Sequence, residues 1–180
     1  MERLVAHNLE KVEEVGAKTV VFACPSCYHT WKEKYGNGVE MLHSTQFMER
    51  LIAEGKIAFD HGVEKTVTYH DPCDLGRNSK VFDAPRNVLN KIPGVKLVEL
   101  PNNRQLSICC GGGGDLEMVD PDLSAAIARR KIEEIQSTGA SEAITSCQQC
   151  IRTISGNARK NKIKLKVKDI TEVVLEAMVS

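Results

Sequence analysis

Short apolar runs alternate along the chain with segments in which apolar residues recur every three or four positions. The runs predict strands at 18–23, 66–70, 96–100, 142–146 and 164–167. The periodic segments predict helices at 2–15, 44–53, 84–91, 121–137, 150–159 and 169–178. Asp120 before Pro121 supplies an N-cap followed by proline at the first helical position, and Gly139 supplies a stop for the same helix. Residues 35–38 and the Asn102-Asn103 turn are expected as loops. Alternating strands and helices predict an α/β fold with mainly parallel sheets. In such folds the strand ends form the ligand crevice, so residues just after strands are the first to weigh for chemistry.

The pattern repeats. At a constant offset of 123 residues Glu10 falls on Glu133, Gly16 on Gly139, Ala17 on Ala140, Cys24 on Cys147 and Cys27 on Cys150. Val12 over Ile135 and Val21 over Ile144 keep the apolar register. Each copy is an amphipathic helix, a glycine stop, a short strand and a Cys-x-x-Cys turn into another helix. The match resumes where Met41, Thr45 and Phe47 face Val167, Thr171 and Val173. The expected organisation is two related α/β repeats, a truncated first unit at 1–60 and a complete second unit at 61–180. On this reading Met1 lies inside the first unit and the chain is the C-terminal part of a longer protein. A true start with a degenerate first half is the alternative.

At 180 residues the chain can bury a real core. Lys plus Arg and Asp plus Glu are both 24 and aromatics are 4%, a balance that argues against nucleic-acid binding. No run of 18 apolar residues predicts a membrane span, and charged sequence after Met1 does not resemble a signal peptide. Cysteine in pairs without secretory context points to a reducing, cytoplasmic location, where Cys-x-x-Cys serves metals or redox chemistry.

All seven cysteines belong to one scheme. Cys73, the adjacent Cys109-Cys110 and Cys147-x-x-Cys150 are separated by 35 and 36 residues, and Cys24-x-x-Cys27 repeats the last element. A structural zinc takes four ligands, and Cys24, Cys27, Cys147 and Cys150 could supply them. That leaves Cys73 and Cys109-Cys110 without a role. Adjacent thiolates are easier to place on different irons of a multinuclear cluster than on one ion. The glycines Gly111, Gly112, Gly113 and Gly114 let the backbone approach closely and turn its amides inward, or else form a flexible loop.

The segments Tyr69-His-Asp-Pro-Cys-Asp-Leu-Gly-Arg77, Cys109-Cys-Gly-Gly-Gly-Gly114 and Cys147-Gln-Gln-Cys150 resemble the cysteine-rich CCG domain of heterodisulfide-reductase-type iron–sulfur oxidoreductases. The four-glycine run with Met118-Val-Asp-Pro121 is most similar to the D-type branch. The resemblance implies an iron–sulfur electron-transfer or disulfide-reducing subunit. It implies that Cys73, Cys109, Cys110, Cys147 and Cys150 hold a noncubane four-iron–four-sulfur cluster. Cys24 and Cys27 match only the last two ligands of a first motif, so this stretch alone is expected to be inactive as a reductase. Ferredoxin-like, flavin, or membrane quinone or haem subunits are the implied partners, with a disulfide or small redox molecule as substrate and membrane association only through a partner. A zinc-stabilised assembly module is the rival.

His70, three residues before Cys73, is a hydrogen-bond or proton donor to a sulfur, or a core-edge histidine. Arg77 is expected to pair with Asp71 or Asp74, with binding of an anionic substrate group as the alternative. His7, His29, His43 and His61 are expected at the surface. Glu13-Glu14 and Glu133-Glu134 are expected on solvated helix faces, and Phe22 and Trp31 in the core. Lysines alternating from Lys162 to Lys168 suit an edge strand that resists pairing.

Overall fold

The computed structural model describes residues 2–36 and 38–178. Asn37, in the loop expected at 35–38, lies outside the described residues. Two parallel sheets organise the fold. In the first, β1 (Thr19–Phe22) pairs with β2 (Glu40–His43), and α2 (Pro25–Lys34) crosses between them. In the second, β3 (Lys65–Tyr69), β4 (Val95–Leu97), β5 (Glu142–Thr145) and β6 (Lys166–Asp169) lie in the order β4-β3-β5-β6, every pair parallel. The helices are α1 (Glu2–Glu14), α3 (Ser44–Ala53), α4 (Asp83–Lys91), a short α5 (Leu116–Val119), α6 (Pro121–Ser137), α7 (Gln148–Lys160) and α8 (Ile170–Met178).

Helices cover both faces of the larger sheet, so its central strands are apolar on both sides. Val67, Tyr69 and Ile144 face a core shared with Val88, Leu89, Ile170 and Val173 of α4 and α8. Ala143 faces the opposite core, with Ile132 and Ile135 of α6 and Ile154 of α7. Each fully buried isoleucine contributes about 1.5–3 kcal/mol relative to exposure.

The two repeats are visible in the backbone. Moving β1 by 123 residues lands on β5, and moving β2 by 126 lands on β6. The pairing register follows, Thr19 opposite Glu40 as Glu142 is opposite Lys166. Even the helix caps correspond. His43 Nδ1 accepts from Thr45 N at 3.3 Å and its backbone N–H donates to Gln46 Oε1 at 3.1 Å. Asp169 Oδ1 accepts from Thr171 N at 3.0 Å and its N–H donates to Glu172 Oε1 at 2.9 Å. Both are reciprocal capping boxes at the start of α3 and α8.

Several expectations need correction. The hydrophobic pattern does not foresee β2, because Glu40-Met41-Leu42-His43 is short and buries only its last residue fully. His43 is not a surface residue: it is wholly buried, its ring edge-on to Tyr28 at 5.9 Å. Trp31 is half-buried and stacks on Tyr35 at 3.9 Å rather than lying in the core. Glu134 does not sit on a solvated face, since it is buried against the wholly buried Lys131. The lysine-rich stretch does end in an edge strand, β6, whose Lys168 bridges Glu142 at 3.3 Å and Glu176 at 2.5 Å. Asp120 caps α6 by accepting from Leu123 N at 2.9 Å, and Gly139 takes the left-handed conformation at φ +68.

Candidate metal centre

Three connections leaving the strand ends carry the cysteines of the second repeat. After β3 the chain runs His70-Asp71-Pro72-Cys73 into a wide helical turn, Asp74–Asn78. Asp71 fixes this connection. Its carboxylate accepts from Arg86 at 2.7 and 2.9 Å and from the backbone N–H of Arg104 at 2.7 Å. Arg86 is buried and also grips Glu99 at 2.6 Å. Ser107 Oγ donates to the Asp71 carbonyl at 3.2 Å, and Arg77 Nη1 donates to the Ser107 carbonyl. The segment bearing Cys73 is thereby tied to the segment that delivers Cys109-Cys110. Arg77 does not pair with Asp71 or Asp74 as expected, because Arg86 occupies the first while Ser26 and Asn78 bond the second at 2.5 and 2.8 Å.

The glycines divide into two kinds. Gly111, at φ +89, lies so close to α6 that a Cβ would stand 2.6 Å from the Ser124 carbonyl. Ser124 Oγ donates back to the Gly111 carbonyl at 2.7 Å. A Cβ on Gly112 would meet Thr153 Oγ1 at 1.9 Å. Gly113 and Gly114 have open space around the same position. The first two are required by close packing of α6 and α7, and the last two leave the backbone free at the cavity mouth.

Cys147 precedes α7 in extended conformation and Cys150 lies in its first turn. The outcome is a single cavity of about 480 Å³ lined by Cys73, Cys109, Cys110, Cys147 and Cys150, with Gly112, Gly113, Gly114 and Arg77 among its walls. Pro25 and Ser26 also line it, but neither Cys24 nor Cys27 does. The 2+2 grouping of Cys24 and Cys27 with Cys147 and Cys150 is not gathered in this cavity. The two Cys-x-x-Cys turns nevertheless adjoin, since Gln148 Nε2 donates to the Ala23 carbonyl at 3.0 Å.

Electrostatics concentrate on Cys110. Its neighbours Cys109, Cys150 and His70 hold its thiol pKa far below the ordinary value. Cys109 and Cys150 are raised in turn, first by Cys110 and then by burial for Cys109 or Cys147 for Cys150. Cys147 is lowered to about 7, chiefly by Cys150 and then by backbone N–H groups at the start of α7. Burial followed by Asp74 raises Cys73. His70 is buried and kept neutral mainly by burial. Among the described residues neither of its ring nitrogens has a hydrogen-bond partner, while Cys110 and Cys150 sulfurs lie within 4.8 Å.

These observations fit a thiolate-held cluster. The donors are soft sulfurs, five converge where a single zinc takes four, two glycines allow close backbone approach, and a buried imidazole lacks a partner that a sulfide could be.

Comparison with known proteins agrees. Residues 1–32 and 67–155 match the CCG cysteine-rich domain. The chain is 39% identical to the D-type subunit of the dihydromethanophenazine:CoB–CoM heterodisulfide reductase of Methanosarcina barkeri, over 97% of this chain and 44% of that protein. It is 29% identical to a probable iron–sulfur-binding oxidoreductase, FadF, of Bacillus subtilis, over 98% of the chain and 26% of the relative. It is 31% identical to the EtfAB:quinone oxidoreductase of Syntrophomonas wolfei, again over 98% and 26%. The chain therefore spans less than half the length of these curated relatives. With two-repeat topology, five gathered cysteines and the domain match in agreement, the chain belongs to the CCG cysteine-rich domain family.

Proposed function

We propose that the chain is an iron–sulfur electron-transfer and disulfide-reducing subunit of a heterodisulfide-reductase-like complex. Cys73, Cys109, Cys110, Cys147 and Cys150 would hold a noncubane four-iron–four-sulfur cluster in the cavity between β3, β5, α6 and α7. The carrying observation is five thiols facing one cavity, with adjacent Cys109 and Cys110 both on its wall. The division that goes with this reading is residues 1–60 as the end of one CCG repeat and 61–180 as a complete second one. Similarity to a heterodisulfide reductase subunit and to a quinone oxidoreductase supports a redox role and redox partners.

When bound, such a cluster supplies one-electron steps and soft irons that accept sulfur. The chain's own residues do the rest. The five thiolates fix position. Gly113 and Gly114 keep the mouth open, and Gly111 and Gly112 bring backbone close. His70 offers a ring N–H to a sulfur beside Cys110, and Pro72 with Pro25 excludes water from one side. A partner, ferredoxin-like, flavin-bearing or a membrane quinone or haem subunit, would deliver or take electrons. Among the described residues no helix is long and apolar enough to cross a membrane, so any membrane contact in this reading runs through that partner.

Anaerobic reconstitution with iron and sulfide tests the proposal against a zinc-stabilised assembly module. The expected product is coloured, carries about four irons per chain in keeping with a four-iron cluster, and shows a paramagnetic oxidised state. A colourless protein with stoichiometric zinc and no iron would refute it.

A further inference from the structure

One buried charge is left unused by that reading. On α6, Ser124, Ala128 and Lys131 follow one another at four and three residues and share a face. That face lies against the cysteine loop. Ser124 Oγ bonds the Gly111 carbonyl at 2.7 Å, and the Ala128 N–H group stands 3.3 Å from the Cβ position of Gly111. The next residue on it, Lys131, is 0% exposed. Its neighbours in sequence, Ile132 and Ile135, share a core cluster with Cys110 and Cys150.

Lys131 pairs with Glu134. Glu134 is anchored away from the cysteines, its Oε1 accepting from Asn102 N at 2.9 Å and Asn102 Nδ2 at 2.7 Å. The pair is thus a fixed dipole. Its ammonium end acts on His70, whose proton affinity it depresses, and is itself stabilised by the negative charge of Cys150. Stability is a weak reason for such a pair, because apolar replacement of a buried ion pair is often neutral or favourable.

We infer that Lys131 is an electrostatic positioning residue for the cavity, its ammonium balancing the charge of the five thiolates from below. Each electron added to a thiolate-bound group increases negative charge in a low-dielectric site, and a nearby fixed cation favours the reduced state. Lys131 therefore raises the midpoint potential, and Glu134 moderates that effect. The inference rests on the cluster reading above.

The test is the midpoint potential of the reconstituted 180-residue chain, followed by EPR, with iron per chain measured alongside. Lys131→Met/Glu134→Gln should hold its iron and shift to a more negative midpoint. Glu134→Gln alone should shift to a more positive one, and Lys131→Arg should stay near the parent. Coincident midpoints at unchanged iron would overturn the inference and leave a pair that only packs. Should the double variant fail to fold, the Glu134→Gln shift decides alone: upward supports the role, and none or downward refutes it. A parent chain that takes up no iron at all would instead sink the cluster reading, and this inference with it.

Discussion

At the scale of single residues, the most exacting position is Gly112. Any side chain there meets Thr153 Oγ1 at 1.9 Å and Gln149 Nε2 at 2.7 Å, and Thr153 sits on the rigid α7. Gly112→Ala should destabilise the chain by roughly 1–3 kcal/mol through overpacking and lower its iron uptake by displacing Cys110. Gly113→Ala, with open space, should change neither. Denaturant unfolding and iron analysis of the two variants side by side check this. Adding Thr153→Ala to Gly112→Ala should recover part of the loss, since it removes the atom in conflict. If Gly112→Ala matched Gly113→Ala, the cradle would be looser than these distances imply. The sequence suggests that the four glycines act together. Only packing against α6 and α7 separates the two that are sterically required from the two that are not.

At the scale of elements, the caps carry a pH dependence. His43 begins α3 where its counterpart Asp169 begins α8, and burial lowers the His43 pKa to about 4. An unfolded histidine titrates near 6.5, so the unfolded chain binds more protons between these values. Stability is then complete above about pH 6.5 and is lost as pH falls toward 4, by up to about 3 kcal/mol at about 1.4 kcal/mol per unit. His43→Asn keeps a capping side chain without the titration. Its unfolding free energy should lose the His43 part of the slope between pH 6.5 and 4.5, measured in the metal-free chain, where His70 remains in both proteins. Identical slopes would show that His43 is protonated without cost. Periodicity could not reveal this. A histidine between Leu42 and Ser44 carries no burial signal of its own, and the strand it ends is short. Its equivalence to Asp169 is readable only once the offset changes from 123 to 126 residues past α2. Charged runs hide Lys131 in the same way. Arg129-Arg130-Lys131 and Glu133-Glu134 suggest a solvated face, although Lys131 and Glu134 stand on the side of α6 that carries Ala128, Ile132 and Ile135. By contrast α6 itself is legible to the residue, because Asp120, Pro121 and Gly139 punctuate it by local rules that tertiary packing does not override.

At the scale of the whole molecule, the repeats place two Cys-x-x-Cys turns side by side but give them unequal surroundings. The second turn meets Cys73, Cys109 and Cys110 in one cavity, whereas the first contributes only Pro25 and Ser26 to its wall. Cys27 is exposed, and its thiol pKa is raised chiefly by Cys24. Sequence spacing identifies the five-cysteine set and the relation between the turns. It could not say that the loop of one repeat would close the site of the other, since Ser26 to Asp74 at 2.5 Å and Gln148 to Ala23 at 3.0 Å join residues 48 and 125 positions apart. The consequence is an asymmetry among the cysteines. Cys109→Ser or Cys110→Ser should abolish cluster assembly, because a hard alcohol oxygen replaces a soft thiolate within the five. Cys24→Ser or Cys27→Ser in the same chain should leave iron content nearly unchanged, since neither sulfur faces the cavity. The zinc alternative built on Cys24, Cys27, Cys147 and Cys150 predicts the reverse, with Cys109 dispensable. Iron and zinc per chain, measured for the Cys24 and Cys109 variants together, separate the two. Equal loss in both, or a greater loss from Cys24, would mean that the metal is shared across the repeats rather than held within the second.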